Sequence, residues 1–314
     1  MKVLFADSTH PTLPDILENE GYIVHENKCE NKEECLQIID QYDGIIIRSK
    51  FIIDDPFLEK ATKLKFIGRV GAGMENIDVE AAEKRGIKCF NSPEGNRDAV
   101  GEQALGMLLA LQNNLIRANS EVRNGIWRRE ENRGAEIKGK TIGIIGFGNM
   151  GSTFAKKLQG MEMQILAYDK YKKNYAPAYV KETSLEKLFK ESDIISLHVP
   201  LTEETRFMVN DDFLKRFSKQ IIVINTARGK VLQTEALVKA MKSGKVTGAC
   251  LDVLEYEATS FENLFSEKLP EAFEYLKNSE RVILSPHIAG WTHESNVKLS
   301  SILAEKIIEY MKGS

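Results

Sequence analysis

Three side chains able to move a proton, steer it and grip an anion each follow a short apolar run in the second half of the chain. Ile221–Asn225 leads into Thr226-Ala227-Arg228-Gly229. Thr247–Asp252 leads into a segment reaching Glu257, and Val282–Ser285 into Pro286-His287-Ile288-Ala289-Gly290. Such runs read as buried strands of a parallel sheet, and in an open parallel sheet ligands bind beyond the carboxyl ends of the strands. An imidazole exchanges protons near neutral pH. A carboxylate beside it fixes one tautomer and favours the imidazolium. A guanidinium clamps a carboxylate through two parallel N–H bonds and polarises a neighbouring carbonyl. This set suits hydride transfer to or from the hydroxyl-bearing carbon of a hydroxy acid. His287 would exchange the hydroxyl proton, Glu257 would orient it, and Arg228 would hold the substrate carboxylate.

A carrier for the hydride is suggested upstream. Gly146-Phe147-Gly148-Asn149-Met150-Gly151 lies between an apolar run, Thr141–Ile145, and a helical pattern beginning at Ser152. The next apolar run, Gln164–Tyr168, ends in Asp169, 18 residues past Gly151. A glycine pattern alone is a weak signal. Between a strand and a helix, with an acid closing the next strand, it is a dinucleotide-binding fingerprint. Gly146 permits the tight turn, Gly148 lets a pyrophosphate approach the backbone, and Gly151 lets helix and strand pack closely. The helix N-terminus then offers N–H groups and partial positive charge to the phosphates. Asp169 is placed to accept the adenosine ribose hydroxyls. His198, which also ends a strand, is expected to be structural or to line the cofactor, and His293 to lie on the surface.

The first 140 residues must hold the rest of the substrate. Gly71-Ala72-Gly73 follows the run ending at Arg69-Val70, and two glycines around one small residue can form a backbone N–H nest for an anion. Arg48 ends a neighbouring run, with Lys50 close by. Arginines beside a nest point to a substrate bearing a carboxylate and a phosphate.

The elements that would position these groups alternate along the chain. Val3–Ala6, Gly44–Arg48, Phe66–Val70 and Lys88–Asn91 are strand candidates with helices between them, so a first α/β domain precedes the fingerprint. Val100, Ala104, Leu105, Leu108, Leu111, Leu115 and Ile116 mark one long helix from Asp98 to about Asn124, expected at a domain or subunit boundary. A last amphipathic helix, about His293 to Met311, is expected to return to the first domain and create a hinged cleft. The domains are then 1–97 plus 288–314 for substrate and 98–287 for the dinucleotide. With 42% hydrophobic and 28% charged residues the composition is that of a soluble globular protein, and a net charge of −3 gives no reason to expect nucleic acid. Cys29, Cys35, Cys89 and Cys250 form no C-x-x-C pair, so they are expected as reduced thiols in the cytoplasm, with no metal site. The apolar start is too short for a signal peptide, and no run is long enough to span a bilayer.

Several motifs in one order carry a family resemblance. They are Gly68-Arg69-Val70-Gly71-Ala72-Gly73-Met74-Glu75-Asn76-Ile77-Asp78, the fingerprint, Asn225-Thr226-Ala227-Arg228-Gly229, Gly248-Ala249-Cys250-Leu251-Asp252-Val253 and Ser285-Pro286-His287-Ile288-Ala289-Gly290. Across nearly its whole length the chain resembles the D-isomer-specific 2-hydroxyacid dehydrogenases. The resemblance implies a homodimer, NAD as cofactor, and a Rossmann domain inserted into a flavodoxin-like substrate domain, both α/β with doubly wound parallel sheets. It carries the catalytic roles onto Arg228, Glu257 and His287. Glu257 is preferred to Glu255 because it lies five residues past Asp252. Cofactor contacts are implied at Gly146, Gly148, Asn149, Met150, Gly151, Asp169, Val199, Thr226, Asp252 and Gly290, and substrate contacts at Arg48, Arg69, Gly71, Ala72 and Gly73. Ile47-Arg48-Ser49, Asn91–Asn96 and Trp127-Arg128-Arg129 are most similar to the branch that oxidises 3-phospho-D-glycerate for serine biosynthesis, in which Arg129 would reach a neighbouring subunit's site. Glyoxylate, hydroxypyruvate and D-lactate reduction are the alternatives within the family, and a non-catalytic NAD-sensing protein is the alternative outside it. Two features depart from the pattern: Ala258 stands where the family usually has Pro, and Ala258–Glu280 is long, with Phe261, Leu264, Phe265, Phe273, Tyr275 and Leu276 suggesting an added helix. The chain also ends too early for the C-terminal regulatory domain of some relatives.

Overall fold

The structure is a computed structural model and describes residues 1–26, 28–257 and 270–313. It divides into two compact units. The first holds Met1–Arg97 and the described residues from Trp291 onward, and the second holds Asp98–Glu257 and the described residues up to Gly290.

The first unit runs β1 (Lys2–Phe5), α1 (Thr12–Asn19), β2 (Ile23–Glu26), α2 (Lys32–Leu36), β3 (Gly44–Ile47), α3 (Asp55–Lys60), β4 (Phe66–Arg69), α4 (Val79–Lys84) and β5 (Lys88–Asn91). All five strands are parallel, in the order β2-β1-β3-β4-β5, which is the flavodoxin-like order. Both sheet faces are covered. Ile45, Ile47 and Ile67 pack with Phe57 on one side, and Val3, Phe5, Ile46 and Phe66 pack on the other with Leu299, Leu303 and Ile307. β2 was absent from the expected strands. It is an edge strand with Ile23 half exposed, so it lacks the continuous apolar run of a buried one.

Cys29 and Cys35 correct an expectation: they form a disulfide rather than two thiols. Asn31 caps α2 by accepting the Glu34 N–H at 2.9 Å, and the turn brings the two Cα atoms to 5.1 Å, within reach of a bridge. Cys89 and Cys250 are free.

The second unit begins with α5 (Arg97–Gln112) and α6 (Leu115–Arg123). The single long helix expected here is broken at Asn114, whose φ of 51° is left-handed, a conformation Asn tolerates. Its side chain donates to the Arg133 carbonyl at 3.2 Å, and Ala135 N–H donates to Gln112 O at 2.9 Å, so the returning chain occupies the break. Ala104, Met107, Leu108 and Leu111 of α5 share a core with Ile142, Ile144 and Phe154 inside this unit, whereas Leu115 and Ile116 of α6 are exposed.

There follow β6 (Thr141–Ile145), α7 (Asn149–Leu158), β7 (Gln164–Tyr168), β8 (Lys181–Glu182), α8 (Leu185–Glu191), β9 (Ile194–Leu197), α9 (Asp211–Lys215), β10 (Ile221–Asn225), α10 (Thr234–Lys242), β11 (Val246–Leu251), α11 (Glu271–Asn278) and β12 (Val282–Leu284). The seven strands are parallel, in the order β12-β11-β10-β9-β6-β7-β8. The order reverses between β6 and β9, which is where a doubly wound sheet opens a crevice at its carboxyl edge. From the long segment before β12, α11 packs Phe273 and Leu276 into the core beside α10, while Ala258, Phe261, Leu264 and Phe265 lie outside the described residues. The last helix, α12 (His293–Gly313), belongs to the first unit and lays Leu299, Leu303, Ala304 and Ile307 on its sheet. Among the described residues no helix is long and apolar enough to cross a membrane, and no cluster of three or more His, Cys, Asp or Glu could hold a metal.

Candidate active site

The fingerprint loop joins β6 to α7 at the reversal of strand order. Gly146 has a φ of 91°, and a Cβ there would lie 2.5 Å from the His198 carbonyl oxygen and 3.0 Å from Val199 Cγ1. A Cβ on Gly151 would lie 2.1 Å from Gly146 O, so only glycine lets α7 start this close to the strand. A Cβ on Gly148 would meet nothing within 4 Å. Gly148 is also the N-cap of α7 and gives it no side-chain cap, so Asn149 and Met150 present first-turn N–H groups beside open space. That arrangement fits a pyrophosphate. Thr226, after β10, adds a buried hydroxyl with no hydrogen-bond partner, which also suits a polar ligand at this edge.

Asp169 is tied to the same loop. Its carboxylate accepts N–H bonds from Phe147 at 2.9 Å, Tyr171 at 3.0 Å and Lys172 at 3.1 Å. Burial works against its charge, but these bonds and the nearby Lys172 outweigh it and hold the carboxyl below its usual range. Lys172 Nζ donates to Phe147 O at 2.9 Å, while Lys170 and the Tyr171 hydroxyl both engage Glu204. His198 lies half-buried under the loop, with its Nδ1 shielded from water. Its Nε2 meets Ser196 Oγ at 2.8 Å, its ring packs 5.4 Å from that of Phe154, and burial pushes its pKa down to about 3, so it is neutral.

The three chemistry-bearing loops follow β10, β11 and β12 on the same sheet. His287 Nδ1–H donates to Glu257 Oε2 at 2.7 Å. This fixes the tautomer and makes Nε2 the atom that gains or loses a proton. Glu257 is anchored in turn by the Leu254 N–H. Glu255 serves elsewhere: it accepts the Thr234 N–H at 2.8 Å and caps α10. His287 has a φ of 55°, an unusual conformation for a residue with a Cβ. Asp252 enforces it. Its carbonyl accepts the His287 N–H at 2.7 Å, and its buried carboxylate accepts Ser285 Oγ at 2.6 Å and the N–H groups of Ile288 and Ala289 at 2.9 Å each. Asp252 thus lies under the histidine loop and shapes it, a role beside the cofactor contact expected of it.

Arg228 precedes a glycine forced by packing. A Cβ on Gly229 would sit 1.8 Å from Leu254 O, so the Arg228 turn rests directly on the backbone that leads to Glu257. Asn225 braces the turn, accepting the Ala227 N–H and donating to Arg228 O, both at 3.1 Å. Arg228 Nη1 donates to Ala227 O at 2.7 Å.

In the first unit, Arg48 leaves β3 at that sheet's own reversal of strand order, between β1 and β3. Asp7, just past β1, accepts the N–H groups of Arg48, Ser49 and Lys50 through a single oxygen at 2.6, 3.0 and 3.2 Å. Asn76 Nδ2 donates to Arg48 O at 3.2 Å, and the Arg48 guanidinium carbon lies 4.6 Å from the centre of the Trp291 ring. Gly71, with a φ of 149°, lets Arg69 fold back across the loop: a Cβ there would sit 1.5 Å from Arg69 Nη1. The Gly71 and Ala72 carbonyls are held by Ser92 N–H and Asn91 Nδ2 at 2.9 and 2.6 Å, which fixes the path of the Gly71–Gly73 loop. Arg129 is exposed on the segment after α6, while its neighbour Arg128 pairs with the buried Glu121.

Asp7, Asn76, Trp291 and Ser285 were given no role in the sequence reading. Asn76 and Ser285 lie inside the quoted motifs, and Asp7 carried a signal of its own, an acid closing the strand next to that of Arg48.

Residues 105–289 match the D-isomer specific 2-hydroxyacid dehydrogenase NAD binding domain. The chain is 38% identical over 278 residues to a hydroxypyruvate reductase of Thermotoga maritima, covering 88% of each. It is 35% identical over 315 residues to a D-3-phosphoglycerate dehydrogenase of Archaeoglobus fulgidus, covering all of this chain but 58% of that protein, so it spans little more than half its length. The fold is also that of a D-lactate dehydrogenase of Aquifex aeolicus solved with NAD and lactic acid, with a TM-score of 0.83, 28% identity, and coverage of 100% of this chain and 96% of that one. The chain belongs to the D-isomer-specific 2-hydroxyacid dehydrogenases and carries their NAD-binding domain.

Proposed function

We propose that this protein is an NAD-dependent oxidoreductase that interconverts 3-phospho-D-glycerate and 3-phosphohydroxypyruvate. The observation that carries the reaction class is the bond from His287 Nδ1 to Glu257 on the sheet that bears the dinucleotide fingerprint. When bound, the nicotinamide supplies or accepts the hydride. His287 Nε2 protonates the carbonyl oxygen in reduction and takes the hydroxyl proton in oxidation. Glu257 holds the ring in the working tautomer, and Arg228 binds the substrate carboxylate and draws charge from the adjacent carbonyl. Asp169 accepts the ribose hydroxyls and disfavours a 2′-phosphate, which sets the preference for NAD over NADP. Arg48 and Arg69 supply cations for the substrate's phosphate, and the similarity to D-3-phosphoglycerate dehydrogenases supports that choice. On this reading, with substrate and cofactor both metabolites of the cell interior, the protein would act in serine biosynthesis in the cytoplasm, where the Cys29–Cys35 bridge would be the exception among its cysteines. The exposed Leu115, Ile116, Val122, Ile126 and Trp127 on and after α6 offer an apolar surface for a homodimer.

A second reading, hydroxypyruvate or glyoxylate reduction, is favoured by the relative that matches 88% of both chains. NADH oxidation measured against phosphohydroxypyruvate, hydroxypyruvate, glyoxylate and pyruvate separates the two. Higher kcat/KM for the phosphorylated acid supports the first reading, and preference for an unphosphorylated acid replaces it with the second. No turnover of any of them, with NADH bound, would leave a non-catalytic NAD sensor.

A further inference from the structure

Trp291 departs from what its position calls for. Thr292 and Ser295 form a reciprocal cap at the start of α12: Ser295 N–H donates to Thr292 Oγ1 at 3.0 Å and Thr292 N–H to Ser295 Oγ at 2.9 Å. An apolar residue just before such a cap usually packs on the side chain four residues past the cap. That residue here is Asn296, which gives an indole no apolar partner. Trp291 remains 56% exposed, and its ring instead faces the Arg48 guanidinium at 4.6 Å.

Arg48 is thereby held at both ends. Asp7 takes its N–H and Asn76 its carbonyl, which fixes the backbone at the reversal point of the first sheet. The Trp291 ring covers the guanidinium. A guanidinium carbon 4.6 Å over an indole ring is within cation–π range, and a group with five N–H donors can make that contact and still bind an anion. An arginine in this state has already lost the rotamer freedom that binding an anion would cost it.

We propose that Trp291 is a positioning residue: it pre-orients Arg48 for the distal anionic group of the substrate and so sets preference for a phosphorylated over an unphosphorylated 2-keto acid. This rests on the phosphorylated-substrate reading above.

The test compares wild type, Trp291→Leu, Trp291→Phe, Arg48→Ala and the double variant Trp291→Leu/Arg48→Ala. Each is assayed with NADH on phosphohydroxypyruvate and on hydroxypyruvate, after circular dichroism shows an unchanged fold. An exposed cation–π contact corresponds to about a 2- to 5-fold effect, so Trp291→Leu should raise KM for phosphohydroxypyruvate by that factor. Its kcat, and its KM for hydroxypyruvate, should stay close to wild type. Trp291→Phe keeps an aromatic face and should restore most of the loss. In the double variant the leucine should add nothing to the effect of Arg48→Ala, because it acts only through that arginine. Equal KM changes on both substrates, a loss in kcat alone, or additive losses in the double variant would overturn the assignment. Wild type that favours hydroxypyruvate overturns the substrate reading and this inference together, and that result is visible before any variant is made.

Discussion

His198 allows a prediction whose size follows from its surroundings. The residue is half-buried beneath the fingerprint loop, but its ring nitrogens are withdrawn from water, with Nε2 against Ser196 Oγ and Nδ1 buried without a partner. Burial lowers its pKa to about 3, against 6.5 for an exposed imidazole. Above pH 6.5 the ring is neutral in folded and unfolded chains alike, so it adds no pH dependence. Below that pH the unfolded chain takes up a proton that the folded chain refuses, and stability falls until the pH reaches about 3. Each pH unit inside the window corresponds to about 1.4 kcal/mol, so by pH 5 His198 alone should lower stability by about 2 kcal/mol. The measurement is urea unfolding of wild type and His198→Gln at pH 7 and pH 5. Carboxylates contribute equally to both proteins, so the difference between their pH dependences belongs to the histidine. Wild type should lose about 2 kcal/mol more than the variant over this interval. Identical losses would mean that the imidazole is hydrated or protonated in the fold, and the picture of a dry neutral ring under the loop would be wrong.

Other consequences are as direct. His287→Ala should cost roughly 10²- to 10⁴-fold in kcat, the usual scale for a lost general acid–base, with NADH binding by fluorescence unchanged; near-normal turnover would assign the proton to another group. Asp169→Ala should narrow the ratio of kcat/KM for NADH over NADPH, and wild type that already uses both equally would refute the specificity role. Gly229→Ala drives a Cβ into the Leu254 carbonyl and should lower stability by about 1–3 kcal/mol, read by thermal unfolding, while displacing the Arg228 turn and reducing turnover. Ile116→Asp on the exposed face of α6 should yield a monomer by analytical ultracentrifugation if that face joins two copies, and an unchanged sedimentation profile would move the interface elsewhere.

What could be read from the sequence follows a physical divide. Buried parallel strands are continuous apolar runs, so β1, β3, β4, β6, β9 and β10 announce themselves, and with them the fold class. The fingerprint glycines are legible because their spacing encodes a turn, a close approach and a packing contact that no other residue permits. Edge strands such as β2 carry no such run. The break at Asn114 depends on a chain segment, Arg133 to Ala135, that returns to bond Gln112 and Asn114, which no local pattern reveals. The same holds for Asp7, Asn76 and Trp291, which meet Arg48 only after the chain has folded. Asp252 shows the limit from the other side: the motif marks it as important, but only its bonds to residues 285–289 show that it fastens the histidine loop.

The placement of α12 has a consequence for the birth of the protein. The first unit's strands leave the ribosome early, yet the helix that covers one face of their sheet is made only after the whole second unit. Val3, Phe5, Ile46 and Phe66 await Leu299, Leu303 and Ile307. At synthesis rates of about 5–20 residues per second, the roughly 200 intervening residues take on the order of 10–40 s to appear. Throughout that interval the nascent chain carries an uncovered apolar sheet face while the dinucleotide unit folds. Such a face is a natural target for chaperones, and slow or stalled translation within the second unit should send the chain toward aggregation before α12 can close the core.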